Sequence, residues 1–276
     1  MASLDGKNIV VTGSASGIGL AITLLLAERG ATVWTVDLSQ SPPEELKSWI
    51  EKGKVHFQGG VDTSDRVVAR KYIADMVAAA GRLDGLVNNA GIGLLEGPIA
   101  SDEAYDRMIA VNIGGVWNYG TAALRVMEKQ EPVGPWKSRG NIVNIASGAG
   151  LRGVSGLAVY CATKHAVIGL SRAWQEDFGQ FGIRTNSVAP GTCCHHSRSY
   201  LSSIFLYSSV LCIGATATAA FVKRAKEEEG FLDTLPSNPL GRVAQPSEIA
   251  NGVAFLLSDE SSYVAGEVLA VSGGHH

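Results

Sequence analysis

Tyr160 and Lys164 stand four residues apart, the spacing that puts two side chains on one face of a helix. A free phenol has a pKa of about 10, too high for a good base at neutral pH. An ammonium one turn away favours the phenolate and readies it to exchange a proton. Ser147 adds a hydroxyl that can hold a reacting oxygen near that phenol. Taken alone, an i,i+4 Tyr–Lys pair is more often a solvated surface pair, so the chemistry needs support from elsewhere in the chain.

That support begins at Thr12-Gly13-Ser14-Ala15-Ser16-Gly17-Ile18-Gly19. Gly13 permits a tight turn, Gly17 lets backbone approach a pyrophosphate, and Gly19 lets a helix pack close to a strand. The free N–H groups of the helix start, at Ser16 to Gly19, suit phosphate oxygens. Three glycines alone are weak, but these follow a β-branched run and open an apolar helical pattern. An acid, Asp37, comes eighteen residues after Gly19, followed by Leu38. The set predicts a dinucleotide site. A carboxylate at Asp37 can accept both ribose hydroxyls of the adenosine half and would repel a 2′-phosphate. No Arg or Lys lies between Gly13 and Gly19. The reading therefore favours NAD over NADP. The plainer alternative is that Asp37 only caps a loop.

The positioning elements follow from periodicity. Strands are predicted at Asn8–Thr12, Thr32–Val36, Lys54–Gln58, a run ending at Asn88-Asn89, Asn141–Ile145, Ile183–Val188 and Glu267–Val271. Helices are predicted at Gly17–Arg29, Glu44–Lys52, Ser64–Ala80 with Ser64 as its cap, Asp102–Glu128, Ser155–Phe181 and Gln245–Ser258. Strand and helix alternate without a linker. This predicts one α/β domain over 1–276, a doubly wound Rossmann fold of about seven parallel strands with helices on both faces. An irregular insertion is expected at about 192–241.

Composition narrows the function. Hydrophobic residues at 46% and charged residues at 18% exclude a disordered chain. A net charge of −3 without a basic cluster argues against nucleic acid as partner. Four cysteines are too few for a disulfide scaffold at this length, and Met1–Lys7 shows no signal peptide, so a cytoplasmic setting is expected. Ser199–Val222 holds no charged residue and is long enough to span a bilayer, but its Ser and Thr content favours a non-membrane reading.

Together these residues resemble the short-chain dehydrogenase/reductase family. The resemblance is carried by the TGSASGIG turn, Asn88-Asn89-Ala90-Gly91, Asn112, Ser147, Tyr160-x-x-x-Lys164, Pro190-Gly191 and a closing Val271-Ser272-Gly273-Gly274. It spans nearly the whole chain in order. It implies that Tyr160 is the acid/base, that Ser147 orients the substrate oxygen, and that Lys164 also holds the nicotinamide ribose. It further implies that Asn112 anchors a water in a proton relay. Val61 and Asp62 would meet the adenine, while Asn89, Ala90 and Gly91 would lie along the cofactor. Pro190, Gly191, Val188 and Thr192 would stand near the nicotinamide. A homotetramer or homodimer is implied, with Asp102–Glu128 and Ser155–Phe181 as interface helices.

One segment departs from the family pattern. His195 stands where the family usually has a threonine, within Cys193-Cys194-His195-His196. Adjacent residues lack zinc-ligand spacing, so no metal is expected. Two readings of 193–217 stay open: an apolar substrate lid, or extra sequence resembling an intron read in frame. The expected activity is an NAD-dependent oxidoreductase of secondary alcohols or ketones. Leu94, Leu95, Leu151, Val154 and Leu157 suggest a hydrophobic or cyclic substrate. Rival readings are a 3-ketoacyl-carrier-protein reductase, and a repurposed cofactor-binding member impaired by the 193–217 segment. Trp34, Trp49 and Trp174 read as packing, and His165 as having no chemistry.

Overall fold

β-branched and apolar residues alternate along the strands so that successive side chains enter opposite layers. Ile9 and Val11 face one core with Val33, Val143 and Val188, whereas Val10 faces the other with Val36, Leu86 and Ile142. The computed structural model describes residues 3–94, 96–191, 239–240 and 244–274. Its strands are β1 (Asn8–Thr12), β2 (Thr32–Val36), β3 (Val55–Gln58), β4 (Gly85–Asn88), β5 (Gly140–Ile145), β6 (Ile183–Pro190) and β7 (Val268–Val271). These pair in parallel in the order β3-β2-β1-β4-β5-β6-β7. The chain leaves β1 toward one side of the sheet and β4 toward the other. The cleft between their carboxyl ends is the switch point where such sheets bind ligands.

The helices are α1 (Gly17–Glu28), α2 (Glu44–Glu51), α3 (Arg66–Ala80), α4 (Asp102–Met108), α5 (Val116–Met127), α6 (Ala158–Phe178) and α7 (Pro246–Leu257). Ile18, Ile22 and Leu26 of α1 share the first core with Ile249, Val253 and Leu256 of α7. Ile73 and Met76 of α3, Tyr119 and Leu124 of α5, and Val167 and Trp174 of α6 fill the second. Each fully buried aliphatic or aromatic side chain stabilises the fold by about 1.5–3 kcal/mol relative to exposure.

Three local expectations are corrected. The stretch expected as one helix over Asp102–Glu128 is interrupted by a π-helical segment, Ile109–Gly115, between α4 and α5. There the backbone passes close to the β3–α3 connection, and a Cβ on Gly115 would lie 2.9 Å from the Thr63 hydroxyl oxygen. Helix α3 begins at Arg66 and is capped by Asp65, whose carboxylate accepts the Val67 and Val68 N–H groups. The Ser64 hydroxyl instead turns back to Asp62, to which it donates at 2.7 Å. Helix α6 starts at Ala158 rather than Ser155 and ends at Phe178, followed by a 3₁₀ turn over Gly179–Phe181. At the other sheet end β6 runs on through Pro190, paired with Val271 of β7.

A buried polar chain ties α6 to the sheet. Asn88 donates to Asn144 at 2.8 Å, Asn144 donates to Ser171 at 2.8 Å, and Ser171 and Ser187 share a hydrogen bond of 2.7 Å. The Asn88 side-chain oxygen is buried without a partner, but the other links of the chain favour one docking geometry, because a shift would strand further buried polar atoms. Gly120 of α5 lets α6 approach closely: a Cβ there would collide with the six-membered ring of Trp174. Trp174 is itself buried and cannot swing away. Gly120→Ala should therefore cost about 1–3 kcal/mol despite its better helix propensity. Urea unfolding would check this, and a stabilised variant would contradict the packing account.

Candidate active site

The glycine turn is closed by contact. A Cβ on Gly19 would collide with the Gly13 carbonyl oxygen, and one on Gly13 would lie 2.8 Å from the Ala90 Cα. Gly13 also has φ +69, which disfavours any residue with a side chain. Asn89 pins this turn from the neighbouring strand end: its amide donates to the carbonyls of Thr12 at 3.0 Å and Gly13 at 2.8 Å. Thr12 completes the tie, its hydroxyl oxygen accepting the N–H groups of Asn89 and Ala90. Thr12 opens the glycine motif, but the sequence gives it no role of its own, since that role depends on β4 lying beside β1.

One cleft over this turn brings together Gly13, Ser16, Ile18, Gly19, Asp37 and Leu38 with Val61, Asp62, Asn89, Ala90 and Gly91. Tyr160 and Lys164 line the same cleft. Gly17, with φ +55, forms the turn but does not line the cleft. Asp37 accepts the Ala15 N–H through one carboxylate oxygen and the Ser39 N–H through the other, both at 2.8 Å. It therefore braces the glycine turn as well as facing the cleft. Asp62 accepts from the Ser64 N–H and hydroxyl and from Arg107 at 3.0 Å. Partial burial pushes the Asp62 carboxyl up, but Ser64 and the Arg107 guanidinium together outweigh it and hold it below the usual carboxylate range. Arg107 lines the cleft too, and was not anticipated because only the fold brings it to Asp62.

At the other end Tyr160 is 1% exposed and Lys164 5% exposed. The Lys164 ammonium donates to the Ile145 carbonyl at 2.9 Å and stands 5.7 Å from the centre of the Tyr160 ring. A Cβ on Gly91 would lie 3.4 Å from Lys164 Nζ and 3.3 Å from Asn112 Oδ1. Asn112, in the π-helical segment, does not line the cleft. Its carbonyl oxygen accepts the Ile92 N–H, and its amide donates to the Ile92 carbonyl and to Thr163. The side chain is thus committed to holding the chain beside Gly91. Ser147 caps a 3₁₀ turn at the end of β5, its hydroxyl oxygen accepting the Ala149 N–H at 3.1 Å.

Pro190 and Gly191 do not line the cleft: Pro190 pairs with Val271, and the Gly191 N–H donates to the Val271 carbonyl. The Val188 carbonyl is taken by the Ala146 N–H, which closes the ladder there. Thr192, Cys193–His196, Leu95 and the 193–217 and 199–222 stretches lie outside the described residues. His165 bonds the Cys161 carbonyl, away from the cleft. Among the described residues no helix is long and apolar enough to cross a membrane.

A dinucleotide fits these residues on physical grounds. The turn is a cradle that a Cβ at Gly13 or Gly19 would fill, and it opens onto a helix N-terminus between two acids and a buried phenol–amine pair. The family model described as short chain dehydrogenase matches residues 7–201. The chain belongs to this family. A second model, described as Enoyl-(Acyl carrier protein) reductase, matches residues 209–276 of the short-chain dehydrogenase. The chain is 36% identical over 279 residues to a 3-oxoacyl-(acyl-carrier-protein) reductase of Thermotoga maritima, covering 98% of both. It is 34% identical to a cyclopentanol dehydrogenase of Comamonas sp., covering 100% of this chain and 99% of that one. Among solved structures it is similar to a short chain dehydrogenase from Mycobacterium paratuberculosis bound to NAD, with TM-score 0.77, 30% identity and coverage of 99% and 98%. It is also similar to ElxO with NADP bound, with TM-score 0.76, 27% identity and coverage of 99% and 98%. The protein is an oxidoreductase of alcohol and ketone groups that uses a nicotinamide dinucleotide.

Burial pushes the Lys164 ammonium down to about 8. The unfolded chain, at the ordinary value of 10.5, therefore carries more protons than the folded one between those two pH values. Stability rises with pH across that window, and below it the charge burial weighs on the fold in full. Lys164→Met removes this slope. Paired urea titrations without cofactor, from about pH 7 to 10.5, should show wild type gaining on the variant as pH rises. A constant difference would contradict the assigned burial.

Proposed function

We propose that this short-chain dehydrogenase transfers a hydride between NAD and a secondary alcohol or ketone that is hydrophobic or cyclic. The reading is carried by one observation: the buried Tyr160–Lys164 pair and the closed glycine turn with Asp37 line the same cleft. Ser16, Gly17, Ile18 and Gly19 would hold the pyrophosphate at the start of α1. Asp37 and Leu38 would hold the adenosine ribose, and Val61 and Asp62 the adenine. Ala90 and Gly91 would lie along the middle, with Pro190, Gly191 and Thr192 near the nicotinamide. When bound, the dinucleotide supplies the hydride acceptor for oxidation and the donor for reduction.

The chain's own residues supply the proton chemistry. In oxidation the Tyr160 phenolate takes the hydroxyl proton as the carbinol hydrogen departs with its electron pair. In reduction the Tyr160 phenol returns that proton to the alkoxide oxygen. The Lys164 ammonium favours the phenolate through its charge, which acts strongly because the site is dry. Ser147, held by its own cap, orients the substrate oxygen. Asn112 fixes the loop that faces Lys164 and so supports the relay.

Ile92, Leu94, Val154, Leu157 and Val159 pack against the cluster that contains Tyr160, which supports an apolar substrate. Asp37, braced by two backbone amides, supports NAD. A second reading, a 3-ketoacyl-carrier-protein reductase, is favoured by the 36% identity to the Thermotoga maritima enzyme. A homodimer or homotetramer is part of the proposal, supported by the half-exposed Tyr105 and Trp117 on α4 and α5. A cytoplasmic location completes it.

Absorbance of the reduced nicotinamide decides among these. With cyclic secondary alcohols and their ketones, NAD should be turned over in preference to NADP, and Asp37→Ala should narrow that preference. Faster turnover of a 3-ketoacyl thioester with NADPH would favour the second reading. Tyr160→Phe should lower kcat by about a hundredfold or more. Full activity in that variant would remove the acid/base assignment.

A further inference from the structure

Helix α6 has no cap of its own. The residue at its N-cap position is Leu157, whose side chain cannot accept a hydrogen bond. The first free N–H groups of a helix must find acceptors, and those two and three residues inside the start are the ones a Ser, Asp or Asn cap would satisfy. In α6 they belong to Val159 and to Tyr160 itself. Both are met by Glu96, from the connection between β4 and α4. Its Oε2 accepts the Val159 N–H at 2.7 Å, and its Oε1 accepts the Tyr160 N–H at 2.8 Å. Glu96 is 7% exposed, so this carboxylate is buried against the helix start.

We propose that Glu96 is a positioning residue that caps the catalytic helix from the substrate-side loop and sets the phenol of Tyr160 against Lys164. The inference rests on the role given to Tyr160 above. A bidentate carboxylate on two adjacent N–H groups fixes position and rotation of the first turn, which a single-oxygen cap would leave free to pivot. Rotation matters because Tyr160 must meet both Lys164, one turn along, and the substrate oxygen. The same contact joins two walls of the apolar pocket. Leu94, two residues before Glu96, and Val154 and Leu157, just before α6, belong to one packed cluster with Tyr160. Gly97 and Gly156 are neighbours across that junction, a Cβ on Gly156 lying 3.8 Å from the Gly97 carbonyl oxygen. Glu96 therefore links the shape of the substrate pocket to the placement of the proton-exchanging group.

The test compares Glu96→Ala and Glu96→Gln with wild type and Tyr160→Phe. Amide hydrogen exchange is followed by mass spectrometry on peptides covering 157–163 and 166–178. Steady-state kinetics and cofactor titration by fluorescence accompany it. In Glu96→Ala, exchange should accelerate in 157–163 and stay unchanged in 166–178. Its kcat should fall by about tenfold to a hundredfold, with cofactor affinity held within about twofold. Glu96→Gln keeps one acceptor oxygen and should lie between the two in both readouts. Should the alanine variant not fold, the glutamine variant carries the comparison. Unchanged exchange in 157–163, or an unchanged kcat, would overturn the proposal. So would a uniform acceleration along α6 with kcat and cofactor affinity lost together, which would mark general loosening. Full activity in Tyr160→Phe would instead sink the acid/base reading, and the positioning role with it, while the exchange data still report on the cap.

Discussion

A positive charge buried at the end of β5 governs the layout of the site. Lys164 is nearly inaccessible, and its ammonium is held by the Ile145 carbonyl. Burying an ion is costly unless partners stand at fixed places, so the helix carrying it cannot drift. Its docking is tight enough that Gly150 has no room for a side chain, since a Cβ there would lie 2.8 Å from the Lys164 carbonyl oxygen. On the other side Gly91 lies next to the same group, where a Cβ would touch Lys164 Nζ at 3.4 Å and Asn112 Oδ1 at 3.3 Å. Gly150 thus lets the backbone of α6 approach closely, and Gly91 keeps the space beside the Lys164 ammonium clear.

The two ends of the cleft are joined through one dipeptide. Asn88 and Asn89 are consecutive at the end of β4, so their side chains leave on opposite sides. Asn88 enters the buried chain through Asn144, Ser171 and Ser187 that docks α6. Asn89 turns the other way and holds Thr12 and Gly13. The strand that defines the switch point therefore fixes α6 with one side chain and the glycine turn with the next. Exchanging the two would be impossible without flipping the strand, which explains why a plain strand-end pair of amides has such far-reaching effects.

This also explains what the sequence could and could not reveal. The glycine turn, Asp37 and the Tyr160–Lys164 pair were legible because each depends on local geometry: a positive φ, a strand end, one helical turn. The parallel sheet was legible because strands and helices alternate with clear periods. Glu96 was not, because its partners lie more than sixty residues away and no local pattern marks a cap supplied from a distant loop. The π-helical segment escaped for a related reason, since apolar periodicity runs through it and the close approach at Gly115 depends on Thr63. At α3 the local rule picked the wrong neighbour. Ser64 and Asp65 are both good caps, and in the fold Asp65 takes the helix N–H groups while the Ser64 hydroxyl bonds Asp62. Asn112 was found by resemblance, yet the structure gives its side chain to Ile92 and Thr163.

Electrostatics at the Asp37 end of the cleft bears on the choice of dinucleotide. Two acids, Asp37 and Asp62, face that part of the cleft, together with one cation, Arg107. Arg107 could attract an added phosphate, but it already pairs with Asp62 at 3.0 Å. That pair is about two-fifths exposed, so its attraction is screened and worth at most about 1 kcal/mol. Freeing Arg107 is therefore cheap, but it would leave the Asp62 charge unneutralised in the same place. Either arrangement keeps a net negative charge at that part of the cleft. Asp37 adds rigidity to this, because the amides of Ala15 and Ser39 hold its two oxygens and swinging it away would loosen the glycine turn. A ribose with free hydroxyls suits such a carboxylate, whereas a phosphorylated one would have to displace it. The choice between a free and a phosphorylated ribose would thereby be tied, through Asp37, to the same turn that would receive the pyrophosphate.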